Sequence, residues 1–213
     1  DSSPVSYNSY TASPGADDVR GIIADNLNRR FGTDYTAKNL YLTAGAAAAL
    51  CIALRALVSS DKDEVIVFAP YFPEYKVFIE ARGATMKVIP ARPDFSMHPE
   101  DLEEAINENT AAVLINSPNN PSGFVYDEKT IHMLSDMLRK KSREFGRPIR
   151  IVSDEPYREL AYGVKVPFLP NYYDDTLVCY SWSKSLSLPG ERIGYVLVPP
   201  AAADSKALYA AVC

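Results

Sequence analysis

Apolar and polar positions follow two alternating periods along this chain. Short β-branched runs recur at Leu40 to Thr43, Glu64 to Phe68, Thr85 to Ile89, Ala111 to Ile115, Arg150 to Ser153, Thr176 to Tyr180 and Ile193 to Val198. Each is short and bounded by Pro, Gly, Asn or Asp, so the pattern predicts buried strands. Between them the apolar spacing turns helical. Asp17 to Phe31 carries Val19, Ile22, Ile23 and Leu27 and stops at Gly32. Asp127 to Phe145 carries Ile131, Leu134 and Leu138 and stops at Gly146. A glycine at that position is a common helix terminator. Further helices are predicted over Gly45 to Ser59, Pro73 to Arg82 and Pro99 to Asn107, and Lys206 to Cys213 reads as one more beginning. Strands alternating with helices predict an α/β fold: three layers, α/β/α, around a mostly parallel, about seven-stranded mixed sheet. Ligands of such sheets bind beyond the carboxyl ends of the strands.

Composition narrows the class. Of 213 residues, Lys and Arg supply 22 and Asp and Glu 27, a net charge of −5. Apolar residues make up 47% and charged residues 23%, which suits a folded domain. A mild acidic excess argues against a nucleic-acid groove. The longest apolar-plus-glycine run, Ala44 to Leu54, is too short to span a bilayer, and the opening Asp1-Ser2-Ser3-Pro4 has no secretory pattern. Cys51, Cys179 and Cys213 are odd in number, with no metal-ligand spacing and no disulfide framework. Free thiols in a cytoplasmic protein are expected.

The polar chemistry gathers just after strands. Ser181-Trp182-Ser183-Lys184 follows one directly, with Arg192 eight positions beyond the lysine. A lysine at a strand end in a cleft is expected to be partly desolvated, which makes its amine a nucleophile. Ser181, Ser183 and the Arg192 fork could hold a phosphate. A serine-rich surface loop would read the same. Asp154 closes another strand, with Tyr157 three residues on. A buried carboxylate there could hold a ring nitrogen protonated while a phenol donates to a ring oxygen. Helix capping by Asp154, with Pro156 in the first turn, is the other account. Asn116 to Gly123 is a Pro-flanked turn that could hold an Asn in the cleft or be an ordinary loop. Thr43 to Leu50 passes through Gly45 into a helix start, whose free N–H groups beside the small Ala46 and Ala47 could form an anion site or belong to an ordinary alanine-rich helix start. In Pro70 to Tyr75 an aromatic could stack on a planar ring or simply pack. Together these supply an amine, a phosphate cage, a ring-nitrogen carboxylate, ring-oxygen donors and a stacking aromatic. That set suits pyridoxal 5′-phosphate, PLP.

From about Tyr10 to Val198 the sequence resembles the class I/II aminotransferases of the aspartate aminotransferase superfamily, PLP fold type I. The resemblance rests on Asn119 to Gly123, Asp154 to Tyr157 and Ser181 to Arg192, in the family's order. It implies that Lys184 forms the imine link to PLP and shuttles the α-proton. Asp154 would pair with the pyridinium nitrogen, and Tyr157 and Asn120 would donate to the ring oxygen. Phe72 would stack on the ring, where many relatives have Tyr or Trp. Ser181, Ser183, Arg192 and the backbone of Gly45, Ala46 and Ala47 would bind the phosphate. Tyr10 would reach the phosphate of a partner subunit, implying a homodimer. The substrates would be an amino acid and a 2-oxo acid, with neither nucleic acid nor membrane as partner and no metal.

The family's substrate-carboxylate arginine lies in a C-terminal small domain. Residues 1–213 thus read as the PLP-binding large domain without that small domain, and inactive alone. A PLP-dependent lyase or decarboxylase of the same fold, or the PLP-sensing domain of a transcriptional regulator, would share these motifs. His98 and His132 match no motif position and read as surface or rim residues, while capping or a salt bridge would account for Glu155 and Glu191.

Overall fold

Residues 10–213 are described by the computed structural model. In chain order the elements are α1 (Asp17–Phe31), β1 (Leu40–Thr43), α2 (Ala46–Leu57), β2 (Glu64–Phe68), α3 (Glu74–Glu80), β3 (Thr85–Ile89), α4 (Pro99–Ala105), β4 (Thr110–Asn116), α5 (Glu128–Phe145), β5 (Arg150–Asp154), β6 (Thr176–Ser181), α6 (Trp182–Ser185), β7 (Gly194–Leu197) and α7 (Ser205–Val212). The strands form one sheet in the order β1-β7-β6-β5-β4-β2-β3. Strand β7 runs antiparallel to β1 and β6, and every other pairing is parallel. The carboxyl ends of β2, β4, β5 and β6 therefore share one edge of the sheet with the start of β7.

Alternation within each strand sends side chains to two faces. Val65, Val67, Leu114, Val152, Leu177 and Val196 pack beneath α2, α3 and α7. Ile66, Val113, Ile115 and Ile151 pack beneath α4 and α5 on the opposite face. Val178, Tyr180, Tyr195 and Leu197 meet α1. Three layers result, with β4 buried along its whole length, as a central strand of a covered sheet should be.

Local signals act where physics places them. Acidic Asp17 and Asp18 open α1 and basic Arg29 and Arg30 close it, matching the helix dipole. Gly32 then ends it in the left-handed region, at φ 69°. Asp127 caps α5 by accepting the Thr130 N–H at 2.8 Å.

The structure departs from the pattern in several places. The buried face of α1 is Arg20, Ile23, Ala24 and Leu27, while Val19 and Ile22 are exposed. Arg20 turns inward because its guanidinium finds the carbonyls of Gly15 and Ala37. Helix α2 begins one residue later than expected, since Gly45 is its cap, and it ends at Leu57. Beyond it the N–H groups of Ser59 and Ser60 turn to the Asp63 carboxylate. Strands β4, β5 and β6 each run one residue further, so Asn116, Asp154 and Ser181 are strand residues.

Candidate active site

A cavity of about 330 Å³ opens at the shared strand edge. It is lined by Ala46, Ala47 and Phe72, by Asn120, Asp154 and Tyr157, and by Ser181, Ser183, Lys184 and Arg192. Residues that are far apart in sequence meet there because parallel strands deliver their ends to one side.

Asp154 forms the cavity's buried end and is 5% exposed. Strand pairing sets it beside Asn116. The Asn116 amide donates to the Asp154 carbonyl at 2.9 Å and lies 3.5 Å from Oδ2. The Tyr75 hydroxyl donates to Oδ2 at 2.5 Å. Among the described residues Oδ1 has no hydrogen-bond partner. A buried carboxylate oxygen without a donor is costly, so this atom is poised for one. Burial pushes the Asp154 carboxyl up to about 7, against the lowering effect of the Tyr75 hydrogen bond and with the help of the Glu155 charge. Capping is not its role. The next helical turn, Arg158–Leu160, is entered from Tyr157 and receives no side-chain cap.

Around this carboxylate stand the ring-sized groups. Phe72 is half-buried and meets the Tyr75 ring edge-on at 5.7 Å. Asn119 builds the adjoining turn: its Oδ1 accepts the Ser122 N–H at 3.0 Å and its amide donates to the Pro70 carbonyl at 3.2 Å. Asn120 is tied to β4 by its N–H, which donates to Asn116 Oδ1 at 2.6 Å. Tyr157 is half-buried, and burial followed by the Asp154 charge raises its hydroxyl above the ordinary range.

The other end is an anion cradle. Gly45 caps α2 at φ 85° and ψ 179°, backbone that L side chains rarely adopt. A Cβ there would stand 2.6 Å from Arg192 Nη2. Arg192 itself has φ 52° and donates from Nη1 to the Pro189 carbonyl at 2.9 Å. A Cβ on Gly194 would lie 2.5 Å from the Tyr180 carbonyl and 2.8 Å from the Gly45 carbonyl carbon. Two glycines thus let the α2 terminus, β6 and the arginine close together. Free helix N–H groups, two serine hydroxyls and a guanidinium are the kinds of donor that a phosphate takes.

Lys184 differs from expectation. It sits on α6, a one-turn helix where the serine-rich sequence also read as a loop, and it is exposed rather than partly desolvated. The reason is its place on the open rim: its Nζ lies 5.9 Å from the centre of the Tyr157 ring, and the residues following α6 are exposed too. Tyr10 is fully exposed and lies outside the cavity of its own chain. His98 stands just before α4 without a side-chain capping bond, and its ring bonds the Ser96 and Glu100 side chains. His132 packs edge-on against Tyr172 on the outer face of α5. Glu155 is committed to a buried ion pair with Arg158.

Sequence reasoning missed Tyr75, Asn116 and Gly194. Tyr75 and Asn116 lie inside runs already singled out, and only the pairing of β4 with β5 and the seating of α3 show that they hold Asp154.

The arrangement has clear relatives. The sequence model described as "Aminotransferase class I and II" matches residues 2–211. A protein of Aquifex aeolicus named "Probable aspartate/prephenate aminotransferase" is 34% identical over 199 residues, 89% of this chain and 48% of its own length. Among solved structures, an amino transferase from Eubacterium rectale superposes with a TM-score of 0.97 at 58% identity, covering 100% of this chain and 54% of the other. Aspartate aminotransferase from Thermus thermophilus, solved with maleate, gives 0.86 at 27% identity, over 96% of this chain and 51% of the other. The chain spans about half the length of the curated relatives it matches. Among the described residues no helix is long and apolar enough to cross a membrane.

Proposed function

The chain belongs to the aminotransferase class I and II family, whose members depend on PLP, and from that premise we propose that residues 1–213 are the PLP-binding large domain of an enzyme that moves an amino group between an amino acid and a 2-oxo acid. The observation that carries this reading is the partnerless Oδ1 of Asp154, buried in the same cavity as the Lys184 amine and the Arg192 cradle.

The residues fit the cofactor. Asp154 Oδ1 would accept from the ring nitrogen, filling its one open position. Tyr157 and Asn120 would donate to the ring oxygen, and Phe72 would cover one face. Ser181, Ser183, Arg192 and the backbone from Gly45 to Ala47 would take the phosphate. PLP supplies an electron sink for the substrate's α-carbon when bound. The chain's own work is then to hold the ring nitrogen's proton at Asp154, to fix the phosphate, and to move the α-proton on Lys184 Nζ. The cations lining the cavity, Lys184 and Arg192, both have such tasks. A group for the substrate carboxylate would come from the enzyme's small domain, outside these residues, and this chain alone would not turn over amino acids. Tyr10 would serve the phosphate of a partner subunit in a cytoplasmic homodimer, in keeping with its exposure and its place outside the lining of its own chain's cavity.

Borohydride reduction of PLP-loaded protein followed by peptide mapping tests the assignment. The label is expected on Lys184. Label on another lysine, or none, overturns it. Product analysis of the complete enzyme separates amino-group transfer from elimination or decarboxylation. Mixed dimers of Tyr10→Phe with Lys184→Ala test the crossing: one intact site survives if Tyr10 serves the partner, and none if it serves its own chain.

A further inference from the structure

We propose that Ser185, Tyr180 and Glu159 form a positioning relay for Lys184, fixing the lysine's one-turn helix against the turn that carries Tyr157. This rests on the reading of Lys184 as the PLP-linked residue.

Helix α6 cannot hold itself. A single turn has met the whole nucleation cost of a helix and gained almost none of its propagation. Its backbone ties are long: the Trp182 N–H reaches the Ile193 carbonyl at 3.3 Å and the Leu186 N–H reaches Trp182 at 3.2 Å. Beyond it Ser187 and Arg192 take left-handed backbone, with φ of 53° and 52°. Side chains must therefore fix the lysine.

Those side chains form one directional chain. Tyr180, on β6 and 4% exposed, donates to Glu159 Oε2 at 2.8 Å and lies 2.9 Å from Ser185 Oγ. Arg30 donates to Glu159 Oε1 at 2.8 Å. An arginine-paired carboxylate only accepts, so the Tyr180 proton points to Glu159 and the Ser185 hydroxyl donates to Tyr180. Trp182, from the same turn as Lys184, packs edge-on against Tyr180 at 5.3 Å and Tyr195 at 5.6 Å. At the far end, Glu159 sits two residues beyond Tyr157 in the Arg158–Leu160 turn. That turn is anchored by the buried Arg158–Glu155 pair, and the Arg158 guanidinium lies over the rings of Phe31, Phe168 and Tyr180. The relay thus starts one residue after the lysine and ends two residues after the tyrosine whose ring its amine faces.

The test separates positioning from binding and from folding. Pyridoxine 5′-phosphate has the ring and phosphate but no aldehyde, so it reports the cradle without the lysine. In Ser185→Ala its affinity should stay within about twofold, while covalent retention of PLP falls about five- to tenfold, the scale of one lost hydrogen bond. Ser185→Thr should restore retention. Tyr180→Phe should act likewise, and the double variant should be no worse than Tyr180→Phe alone, since both break one chain. Hydrogen exchange in Ser185→Ala should quicken over residues 182–187 and also over 157–160. Unchanged PLP retention, parallel weakening of both ligands, or exchange that quickens over 182–187 alone would overturn the relay. If the parent protein takes up no PLP, the cofactor reading fails, and the exchange experiment by itself decides the relay.

Discussion

The two ends of the cavity are built on opposite principles. At the Asp154 end the carboxylate is buried, clamped by Tyr75 and Asn116, and set on a central strand. At the Lys184–Arg192 end the side chains are exposed and ride on a single helical turn and a left-handed residue. The difference follows the charge that each end must manage. A ring nitrogen is a weak base, and holding its proton needs an anion whose field is not screened by water. A phosphate arrives fully charged, so donors of the right geometry suffice at an open rim. A lysine that forms the proposed link to PLP would exchange partners during the reaction, and rim exposure leaves it room to do so.

The harshest way to break this comparison is Asp154→Asn. The substitution keeps shape and loses charge. Amino-group transfer by the complete enzyme should fall about a hundredfold or more, the scale of removing one preorganised electrostatic group. Inorganic phosphate binding should be untouched. Near-normal amino-group transfer by this variant would show that the buried end is not where catalysis is decided.

Rim variants should cost affinity instead. Arg192→Lys keeps the charge and loses the fork, so PLP binding should weaken about tenfold. Gly45→Ala should act in the same direction, because its Cβ would displace Arg192 Nη2 and strain a backbone at φ 85°. Equilibrium titration measures both. If either variant abolished amino-group transfer at saturating PLP, the rim would be doing the chemistry assigned to the buried end.

The same contrast governs what was legible in the sequence. The strands at Glu64 to Phe68 and Thr85 to Ile89 and the helix at Asp17 to Phe31 stand where periodicity puts them. Their bounds follow from local apolar spacing and terminating glycines. Most of the residues lining the cavity were legible for the same reason, since they stand at or just beyond the end of a strand. The clamp was not. Tyr75 reads as one aromatic among several, and its hydrogen bond to Asp154 crosses 79 positions of chain. Exposure was legible only in part: the sequence assigns both Asp154 and Lys184 to a cleft, yet only Asp154 is buried and Lys184 is exposed. That depends on which element carries each, a sheet centre or a one-turn helix at the edge, and α6 has no periodic signature to read.

The pH dependence of stability sharpens the comparison most, because it reads the buried end without turnover. An unfolded aspartate titrates near about 3.9, whereas burial lifts Asp154 to about 7. Between those values the folded protein holds a proton that the unfolded chain has released. Its stability must therefore fall as pH rises through that window, and level off above it. The contribution is on the order of 4 kcal/mol at most, and it appears as the difference between the parent and Asp154→Asn, which cannot titrate there. Tyr75→Phe removes the hydrogen bond that holds the carboxyl down, so the window should extend to higher pH and the total loss should grow. PLP should act in the opposite sense, since a ring cation against Oδ1 stabilises the carboxylate and flattens the slope. Chemical denaturation from pH 4 to 9 on the three proteins, with and without PLP, measures all of this. A parent and an Asp154→Asn variant with the same pH slope would mean that the Asp154 end is wet after all, and that the two ends of the cavity are not built differently.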